Sequence, residues 1–321
     1  MCMANSSTAV GSDLFKRYLG NPILAPTRWP YPINAVMNAA ATVVNGDTIL
    51  LSRVEDRRGF SHLTVARSAN GVSNWVIDNT PLLAPEPGRS EEAWGLEDPR
   101  ITRIEELDAW VIVYTAYGTG GPAIALATTQ DFRSVTRLGM ARGPEDKNGA
   151  LLTRRIDGEF VLFHRPVTVV GARSDVWLSR SADLRSWSSP EPVFEAREGG
   201  WWDCARIGMG PPPLETPEGW LVFYHGVRNT VAGALYRVGL VLLDLEQPSR
   251  VLRRCSEWVM SPSESYELSG DVPGVVFPCG LVHDVETDEL RVYYGAADTC
   301  VGLATAQLSD VMTYLRDCDR G

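Results

Sequence analysis

An acidic pair in front of a proline is the first part of this chain that could carry chemistry. It lies in the segment GLEDPR (95–100), ahead of an apolar run that begins at Trp110, and it places a carboxylate on a loop or at the start of a strand. An aspartate in such a position often does no more than cap its own backbone. Trp94, however, flanks the pair as it would flank a sugar site. We consider Trp94, Trp201 and Trp202 as the tryptophans that could stack on a sugar ring.

Basic residues recur at or near the ends of later apolar runs such as TILLSR, FVLFHR and WLVFYH. For any one of them, exposure or pairing with one of the forty acidic residues is the simpler explanation. Several of them gathered in one place would need an anion, because desolvated cations are costly and Arg suits bidentate binding of phosphate or carboxylate. The group, with one asparagine among it, comprises Arg53, Lys147, Asn148, His164, Arg165, Arg206 and His225.

Short polar side chains stand near the two ends of the chain's apolar pattern. Asn38 opens the segment NAA (38–40), and Asp298 closes the segment YYGAAD (293–298). Such side chains suit the recognition of sugar hydroxyls, although capping of a turn explains Asn and Asp nearly as well.

A repeated pair of apolar strands must position these residues. One motif recurs at Leu63, Ile124, Val176, Val238 and Val301, so that successive copies are 61, 52, 62 and 63 residues apart. A second apolar strand precedes most copies by about ten residues. A β-rich unit of this length, repeated five times, predicts an all-β chain folded as a five-bladed β-propeller. Equivalent positions in successive blades point into one central funnel, so we expect the polar residues to converge there.

The same pattern predicts one domain over residues 1–321, since no linker or low-complexity run divides the chain. Residues 1–35 are predicted to be an N-terminal extension, with a short helix around Asp13–Leu19 and a candidate role in contacts between subunits of a homo-oligomer. Residues 309–318 are predicted to form a C-terminal helix with Ser309 as its N-cap.

Composition excludes several classes of function. Thirty basic against forty acidic residues give a formal charge of −10, which argues against binding to nucleic acid or to an anionic membrane. No signal peptide and no membrane-spanning run is read, so we expect a cytoplasmic protein. The six cysteines show no metal-ligand spacing and are expected to be reduced. No metal and no cofactor is predicted.

These motifs together resemble glycoside hydrolase family 130, whose members include inverting β-mannoside phosphorylases with a five-bladed propeller. The resemblance covers roughly Asn21 to Gln307. Its pieces are NAA (38–40), SR (52–53), GLEDPR (95–100), HRP (164–166), RIGMGPPP (206–213), YHG (224–226), GDVPGVVFPCG (270–280) and YGAADT (294–299).

The resemblance implies a role for each matching residue. Asp98 would be the general acid, and Asn38, Arg53 and Asp298 would hold the mannosyl unit, with Trp94 as a further substrate contact. Inorganic phosphate, as co-substrate, would be cradled by Lys147, Asn148, Arg165, Arg206 and His225. The chain departs from the family where Arg206 replaces the more usual Lys and Lys147 the more usual Arg. Both exchanges keep the positive charge but change the donor geometry.

The implied reaction is phosphorolysis with inversion of a β-linked manno-oligosaccharide or mannosyl disaccharide, giving α-mannose 1-phosphate and a shortened acceptor. An inverting hydrolase needs an acid and a base, whereas a phosphorylase needs only the acid because phosphate is already a nucleophile. The resemblance also implies that Asp98 can deliver its proton through a mannose hydroxyl.

Three alternatives stay open at this point. An inverting β-mannosidase on the same fold would need a base, for which Asp203, Glu264 and Glu267 are candidates. A five-bladed furanosidase would need three acids in the funnel and would leave the basic cluster unexplained. A non-catalytic glycan-binding propeller would bind without turnover. The linkage, β-1,4 or β-1,2, and the acceptor sugar also stay open.

Overall fold

The computed structural model describes residues 14–167 and 173–318, and these are mostly β-structure with few helices. The helices of the described ranges that are longer than a single 3-10 turn are α1 (Ser265–Leu268) and α2 (Leu308–Asp317). The strands are β1 (Lys16–Arg17), β2 (Ala35–Val44), β3 (Asp47–Glu55), β4 (Ser61–Ser68), β5 (Val76–Ile77), β6 (Gly95–Ile104), β7 (Ala109–Gly118), β8 (Gly121–Thr129), β9 (Thr136–Arg142), β10 (Asp146–Leu151), β11 (Phe160–Pro166), β12 (Val176–Ser181), β13 (Glu191–Phe194), β14 (Arg206–Met209), β15 (Leu214–Thr216), β16 (Gly219–Thr230), β17 (Gly233–Leu243), β18 (Val251–Arg254), β19 (Val276–Asp284), β20 (Glu289–Ala296) and β21 (Cys300–Gln307).

Within the described residues the strands form five antiparallel groups. They are β2-β3-β4-β5, β6-β7-β8-β9, β10-β11-β12-β13, β14-β16-β17-β18 with β15 beside β16, and β19-β20-β21-β1. The first two groups are joined by a parallel pair between Ser61 and Gly95. The expectation of a β-rich chain with few helices is confirmed.

The repeated motifs of the sequence are the central strands of these groups. They form the hairpins β3–β4, β7–β8, β11–β12, β16–β17 and β20–β21. In β7, the consecutive residues Val111, Ile112 and Val113 are all completely buried. Because neighbouring side chains of a strand point to opposite faces, both faces of such a strand are covered. This burial explains why the repeats are apolar throughout and do not alternate with polar residues.

The N-terminal segment does not form the predicted helix. Residues 14–19 hold no helix; Lys16–Arg17 is instead strand β1, which pairs with β21, while Asp13 lies outside the described residues. The Asn21 side chain exchanges hydrogen bonds of 2.9 Å in each direction with the backbone of Leu303. Pairing with β21 gives this segment backbone hydrogen bonds, whereas an isolated helical turn forms few such bonds and is costly to nucleate. The start of the described chain therefore completes the last strand group.

A helix lies where the sequence analysis places one, but it begins one residue earlier. The N-cap position is Gln307, without a side-chain cap, and Ser309 lies inside the first turn, where its N–H donates to Asp288 Oδ2 at 3.0 Å. The expectation of reduced cysteines is wrong for one pair, since Cys255 and Cys318 form a disulfide. No helix among the described residues is long and apolar enough to cross a membrane.

A buried ion pair joins β1 to the α1 segment and yields a prediction for stability. Glu267 is completely buried, accepts bonds from Arg17 Nε at 2.6 Å and from the Tyr294 hydroxyl at 2.8 Å, and also receives two backbone N–H groups. Replacing Glu267→Ala leaves these donors unpaired, so we expect the free energy of unfolding to fall by about 3–5 kcal/mol. Urea unfolding followed by fluorescence measures this loss.

The matched control is Arg58→Ala, which removes an exposed ion pair with Asp56. Because water screens exposed pairs, this variant should unfold at the same urea concentration as the natural chain. Equal midpoints for Glu267→Ala and Arg58→Ala would contradict the structural role assigned to Glu267.

Candidate active site

In the described chain, the first strands of three successive groups carry the same irregularity. In β2, β6 and β10 the register with the next strand shifts by a bulge, and the extra residues include Asn38, Asp98 and Asn148. All three have left-handed backbone, with φ of 49°, 48° and 57°. Asn and Asp adopt this conformation more readily than other side-chain-bearing residues, and a bulge redirects the side chain that it carries. Three polar side chains are thus turned toward one place.

Two glycines on facing strands make room for these side chains. A Cβ atom at Gly295 would collide with Asn38 Oδ1, and one at Gly208 would lie 2.7 Å from Asn148 Oδ1 and 2.8 Å from His225 Nε2. Both glycines therefore matter through close approach and not through backbone freedom.

The redirected side chains open into a cavity of about 160 Å³. It is lined by Asn38, Arg53, Glu97, Asp98, Lys147, Asn148, Arg165, Arg206, His225, Tyr236, Val275, Phe277 and Asp298. Apart from Trp94, every residue to which the family resemblance assigned a role is among them, whereas His164, Trp201 and Trp202 are not. The strand ends that carry Arg53, Arg165 and His225 therefore do converge. Their roles in binding and catalysis stay predictions.

Trp94 is the exception and lies outside this cavity. Its ring is 40% exposed and packs edge-on against Tyr117, with ring centroids 5.2 Å apart. Lys147 Nζ lies 5.8 Å from the centre of the Tyr117 ring. Trp94 immediately precedes β6, and its proximity in sequence to Asp98 does not place it among the residues that line the cavity.

The Asp98 carboxylate is held by side chains from two other strands, β2 and β3. Asn38 Nδ2 donates to Asp98 Oδ1 at 2.7 Å, and Arg53 Nη1 lies 3.4 Å from the same oxygen. Burial alone would raise the pKa of this carboxyl, but the charges of Arg53 and Arg100 and the Asn38 hydrogen bond hold the pKa below its ordinary value. In the free protein Asp98 is therefore a carboxylate at neutral pH.

The fully buried Arg100 fixes the backbone of this site. Its guanidinium donates to the carbonyl oxygens of Asp98 at 2.6 Å, Met209 at 3.0 Å and Gly210 at 2.9 Å. The bulge of β6 is thereby tied to the end of β14, the strand that begins at Arg206. Arg100 does not line the cavity and acts from beneath it.

Arg53 is the centre of the acidic half of the cavity. Its guanidinium lies 3.1 Å from Glu97 Oε1 and donates to Ser61 Oγ at 2.9 Å, in addition to the contact with Asp98. Burial alone would lower the pKa of Arg53, but the carboxylates of Glu97, Asp98 and Asp298 raise it above its ordinary value. Arg53 thus stays charged and holds three acids in one place.

Asp298 differs from Asp98 in its ionisation. Burial, followed by the negative charge of Asp98, raises its pKa to about 6 despite the opposing effect of Arg53. The two aspartates therefore share one cation, and one of them holds its proton more firmly than the other.

The opposite half of the cavity is basic and is not neutralised. Arg165 is buried, its Nε has no hydrogen-bond partner, and burial together with the charge of Arg206 lowers its pKa to about 10. Arg206 donates to the Tyr236 hydroxyl at 2.6 Å. In the part of the chain that the structure describes, neither arginine pairs with a carboxylate. Two adjacent cations without a carboxylate partner, one of them buried, form a site for an anion.

His225 completes the basic half as a neutral group. Its ring packs 4.5 Å from Phe277, measured between centroids, and its buried Nδ1 has no partner among the described residues. Burial, followed by the charges of Arg165, Arg100 and Arg206, lowers its pKa well below the ordinary value. The imidazole is therefore uncharged at neutral pH and can both donate and accept a hydrogen bond.

Four lining residues escaped the sequence analysis: Glu97, Tyr236, Val275 and Phe277. Val275 and Phe277 lie within the quoted segment 270–280, and Glu97 is the other member of the acidic pair. Tyr236 stands two residues before the repeat that begins at Val238. The apolar pattern identified the strands but carried no signal for which of these side chains face the cavity.

His164 belongs beneath the site and does not line it. Its Nδ1 contacts Asp146 Oδ2 at 2.7 Å and its Nε2 contacts Ser179 Oγ at 3.0 Å. The contacts resemble a Ser-His-Asp triad, but all three residues are buried and no substrate could reach the serine hydroxyl. Asp146 also accepts the backbone N–H of Lys147 at 2.9 Å, so this cluster supports the strand that carries Lys147 and Asn148.

The chain is similar to known proteins over most of its length. A family model for glycoside hydrolase family 130, described as beta-1,4-mannooligosaccharide phosphorylase, matches residues 22–317. The chain belongs to glycoside hydrolase family 130. It is 35% identical over 315 residues to the beta-1,4-mannooligosaccharide phosphorylase of Ruminococcus albus, covering 95% of this chain and 91% of that relative.

Solved structures of the family are also similar to this chain. The beta-1,2-mannobiose phosphorylase of Listeria innocua, in complex with beta-1,2-mannobiose, superimposes with a TM-score of 0.86 at 27% identity, covering 94% of this chain and 99% of that one. Another structure has a TM-score of 0.80 at 27% identity, covering 91% of this chain and 93% of that one. It represents glycoside hydrolases of family 130 that target beta-1,2 mannosidic linkages in Candida mannan. The resemblance to the family inferred from the motifs is confirmed.

Among the described residues, no three His, Cys, Asp or Glu side chains are grouped so that they could hold one metal ion.

The raised pKa of Asp298 makes stability depend on pH in a defined direction. The pKa is about 6 in the folded chain against an ordinary 3.8, so ionisation above about pH 6 opposes folding and the penalty disappears below about pH 4. We expect Asp298→Asn to be more stable than the natural chain at pH 7.5, by on the order of 1–3 kcal/mol. Urea unfolding at pH 7.5, 6 and 5 should show this advantage shrinking as the pH falls.

The control is Asp47→Asn, a change at the exposed first residue of β3, which should leave stability unaltered at every pH tested. An advantage of Asp298→Asn that grows toward acid pH would have the wrong sign for a carboxyl with a raised pKa.

Proposed function

We propose that this chain is an inverting β-mannoside phosphorylase that converts a β-linked mannoside and inorganic phosphate into α-mannose 1-phosphate and a shortened acceptor. The family assignment and relatives named as mannooligosaccharide and mannobiose phosphorylases support a phosphorylase. The chain is accordingly a glycoside phosphorylase, an enzyme of the glycosyltransferase type. Because relatives are named for both β-1,4 and β-1,2 linkages, the experiment below includes both.

One observation carries the proposal. Arg165 and Arg206 share a small cavity with Asp98, and neither has a carboxylate partner among the described residues. Buried cations without counter-charge are unfavourable unless a ligand supplies the charge. A phosphate dianion bound there, with the neutral His225 as a further partner, satisfies both guanidinium groups in the bidentate geometry that Arg favours.

The division of the cavity supports in-line attack. The acidic half with Asn38, Arg53 and Asp298 would hold the mannosyl unit, because carboxylates and amides suit sugar hydroxyls. The basic half, with Lys147 and Asn148 at its edge, would hold phosphate on the other side of the anomeric carbon. Phosphate then attacks that carbon while the bond to the acceptor oxygen breaks, which inverts the configuration.

Asp98 would supply the proton to the leaving oxygen. Its pKa is lowered in the free protein, so the acid form must arise after substrates bind. A phosphate dianion adds negative charge to the cavity, and a mannosyl hydroxyl competes with the long Arg53 contact of 3.4 Å. Both changes raise the pKa of Asp98. A mannose hydroxyl between Asp98 and the glycosidic oxygen could pass the proton onward.

The fold and compartment belong to the same proposal. The five antiparallel strand groups would be the blades of a five-bladed propeller forming one domain, with the cavity in its central funnel. The expected cytoplasmic location suits a phosphorylase, since phosphate is available there and the product keeps the energy of the glycosidic bond as a sugar phosphate.

The rival reading, an inverting hydrolase, finds less support. Its three candidate bases lie outside the cavity: Asp203 is buried between Arg197 and Arg254, Glu267 between Arg17 and Tyr294, and Glu264 caps α1. The remaining acids of the cavity, Glu97 and Asp298, share the Arg53 side with Asp98. A hydrolytic base should face the opposite side of the sugar.

The decisive assay incubates the chain with β-1,4- and β-1,2-mannobiose, with and without inorganic phosphate, and measures mannose 1-phosphate and free mannose. We expect α-mannose 1-phosphate only when phosphate is present, and a loss of about 10³-fold in kcat for Asp98→Asn because the proposed general acid is removed. Release of free mannose at an equal rate without phosphate would establish the hydrolase instead. Binding without any turnover would point to a glycan-binding module.

A glycine substitution tests the phosphate half separately. Gly208→Ala would place a Cβ atom against Asn148 and His225. We expect the KM for phosphate to rise at least tenfold, because one or two well-placed hydrogen bonds to phosphate would be lost. The KM for the mannoside should change less. Initial rates at varied phosphate measure this effect.

Gly143→Ala is the matched control, because its added Cβ atom meets nothing within 4 Å. Its kinetics should equal those of the natural chain. If Gly208→Ala raised only the KM for the mannoside, the assignment of this half to phosphate would be wrong.

A further inference from the structure

A second and larger pocket lies on the other face of the β16–β17 hairpin. Its volume is about 700 Å³, against about 160 Å³ for the cavity, and it falls within the range of pockets that bind small ligands. Tyr236 of β17 lines the cavity and its neighbour Arg237 lines the second pocket. Because successive side chains of a strand point to opposite faces, the hairpin is a wall shared by the two.

Three indole rings form one side of this pocket. Trp201 is 45% exposed, whereas Trp202 is buried behind it and meets Trp258 edge-on, with ring centroids 6.2 Å apart. The Trp202 indole also donates to the carbonyl of Ser256 at 2.8 Å. A large ring left in contact with water at the mouth of a pocket is available to stack on a ligand.

The exposed ring is held rigidly from behind. The Arg197 guanidinium lies 4.9 Å from the centre of the Trp201 ring. Arg197 in turn donates to the buried Asp203 at 2.8 Å and to the Cys255 carbonyl at 2.7 Å. One face of the indole is thus covered and the other is free. Asp203, unsuited to act as a base, anchors this platform.

Polar groups at the rim are available for a ligand. Arg228 and Glu257 line the pocket, and within the described residues neither side chain makes a hydrogen bond or an ion pair. Arg237 stacks over Trp258 at 4.2 Å and donates to Ser261. A flat aromatic face with guanidinium and carboxylate groups around it matches a pyranose, which has an apolar C–H face and a belt of hydroxyls. A plain phosphate would leave the indole face without a partner.

We propose that this pocket is a second, non-catalytic binding site for a β-mannoside chain, with Trp201 as its stacking platform. The choice of mannoside rests on the proposed function, because a chain of the substrate class is the sugar polymer that the enzyme meets. Its volume accommodates more than one sugar unit. A long substrate bound in this pocket stays near the cavity on the other side of the hairpin. A disaccharide is too short to occupy the pocket and the cavity at the same time.

The test separates the pocket from the cavity. Isothermal titration calorimetry with β-1,4-mannohexaose, and in parallel with a β-1,2-linked hexaose, is run on Arg53→Ala, which lacks a side chain that we assign to the mannosyl unit in the cavity. Asn38→Ala serves as a second cavity variant. We expect binding of at least one hexaose to persist in both. Adding Trp201→Ala should weaken it at least tenfold, while Trp201→Phe should restore most of it. Trp177→Ala, in β12 and outside both pockets, is the control and should change nothing.

Kinetics provide a second readout in the chain with an intact cavity. Trp201→Ala should raise the KM for the hexaose at least fivefold and leave the KM and kcat for mannobiose unchanged. Equal hexaose affinity with and without Trp201, or no binding in the cavity variants, would overturn the second site. A change in oligomeric state without a change in affinity would identify a subunit interface and overturn it too. Absence of phosphate-dependent turnover would instead sink the proposed function, whatever the titration gives.

Discussion

The candidate active site depends on left-handed backbone at three matched bulges. Asn38, Asp98 and Asn148 occupy the same place in the first strands of successive groups, and each adopts a conformation that most side chains avoid. A regular strand would direct alternate residues into the packed interfaces between groups. The bulge breaks that alternation and turns one short polar side chain of each strand toward the cavity. Without these three local departures, the cavity would lose Asp98, the proposed general acid, and the amides of Asn38 and Asn148.

Such bulges persist only where the surroundings determine them. Arg100 supplies part of that constraint by donating to the Asp98 carbonyl and to two carbonyls at the end of β14. Gly295 and Gly208 supply another part by leaving room for the Asn38 and Asn148 side chains. Packing thus fixes the positions of Asp98, Asn38 and Asn148, and catalysis requires side chains that are held in a defined geometry.

The cavity has an acidic half and a basic half, and only the cation of the acidic half is paired with carboxylates. Arg53 gathers Glu97, Asp98 and Asp298 around itself, while Arg165 and Arg206 stand near a neutral histidine. A protein with a formal charge of −10 brings together here two cations that have no carboxylate partner among the described residues. The arrangement costs stability in the free protein, and a bound anion removes that cost. Stability and phosphate affinity are therefore expected to be linked.

The sequence by itself determined the β-rich class, the five repeated hairpins and most of the site. The apolar repeats predicted strands, and residues at matched ends of these strands were expected to converge, as Arg53, Arg165 and His225 do. What it could not determine were contacts between distant segments. Tertiary packing decided three of these: the pairing of β1 with β21, the Cys255–Cys318 disulfide and the position of Trp94 outside the cavity. The hydrophobic pattern of a sequence does not indicate the partner of an edge strand, of a thiol or of an aromatic ring. The structure also adds Tyr236 and Phe277 to the lining of the cavity and shows that Asp203 lies outside it. The sequence could not show this, because the direction in which a side chain points from a strand or loop depends on the neighbours against which it packs.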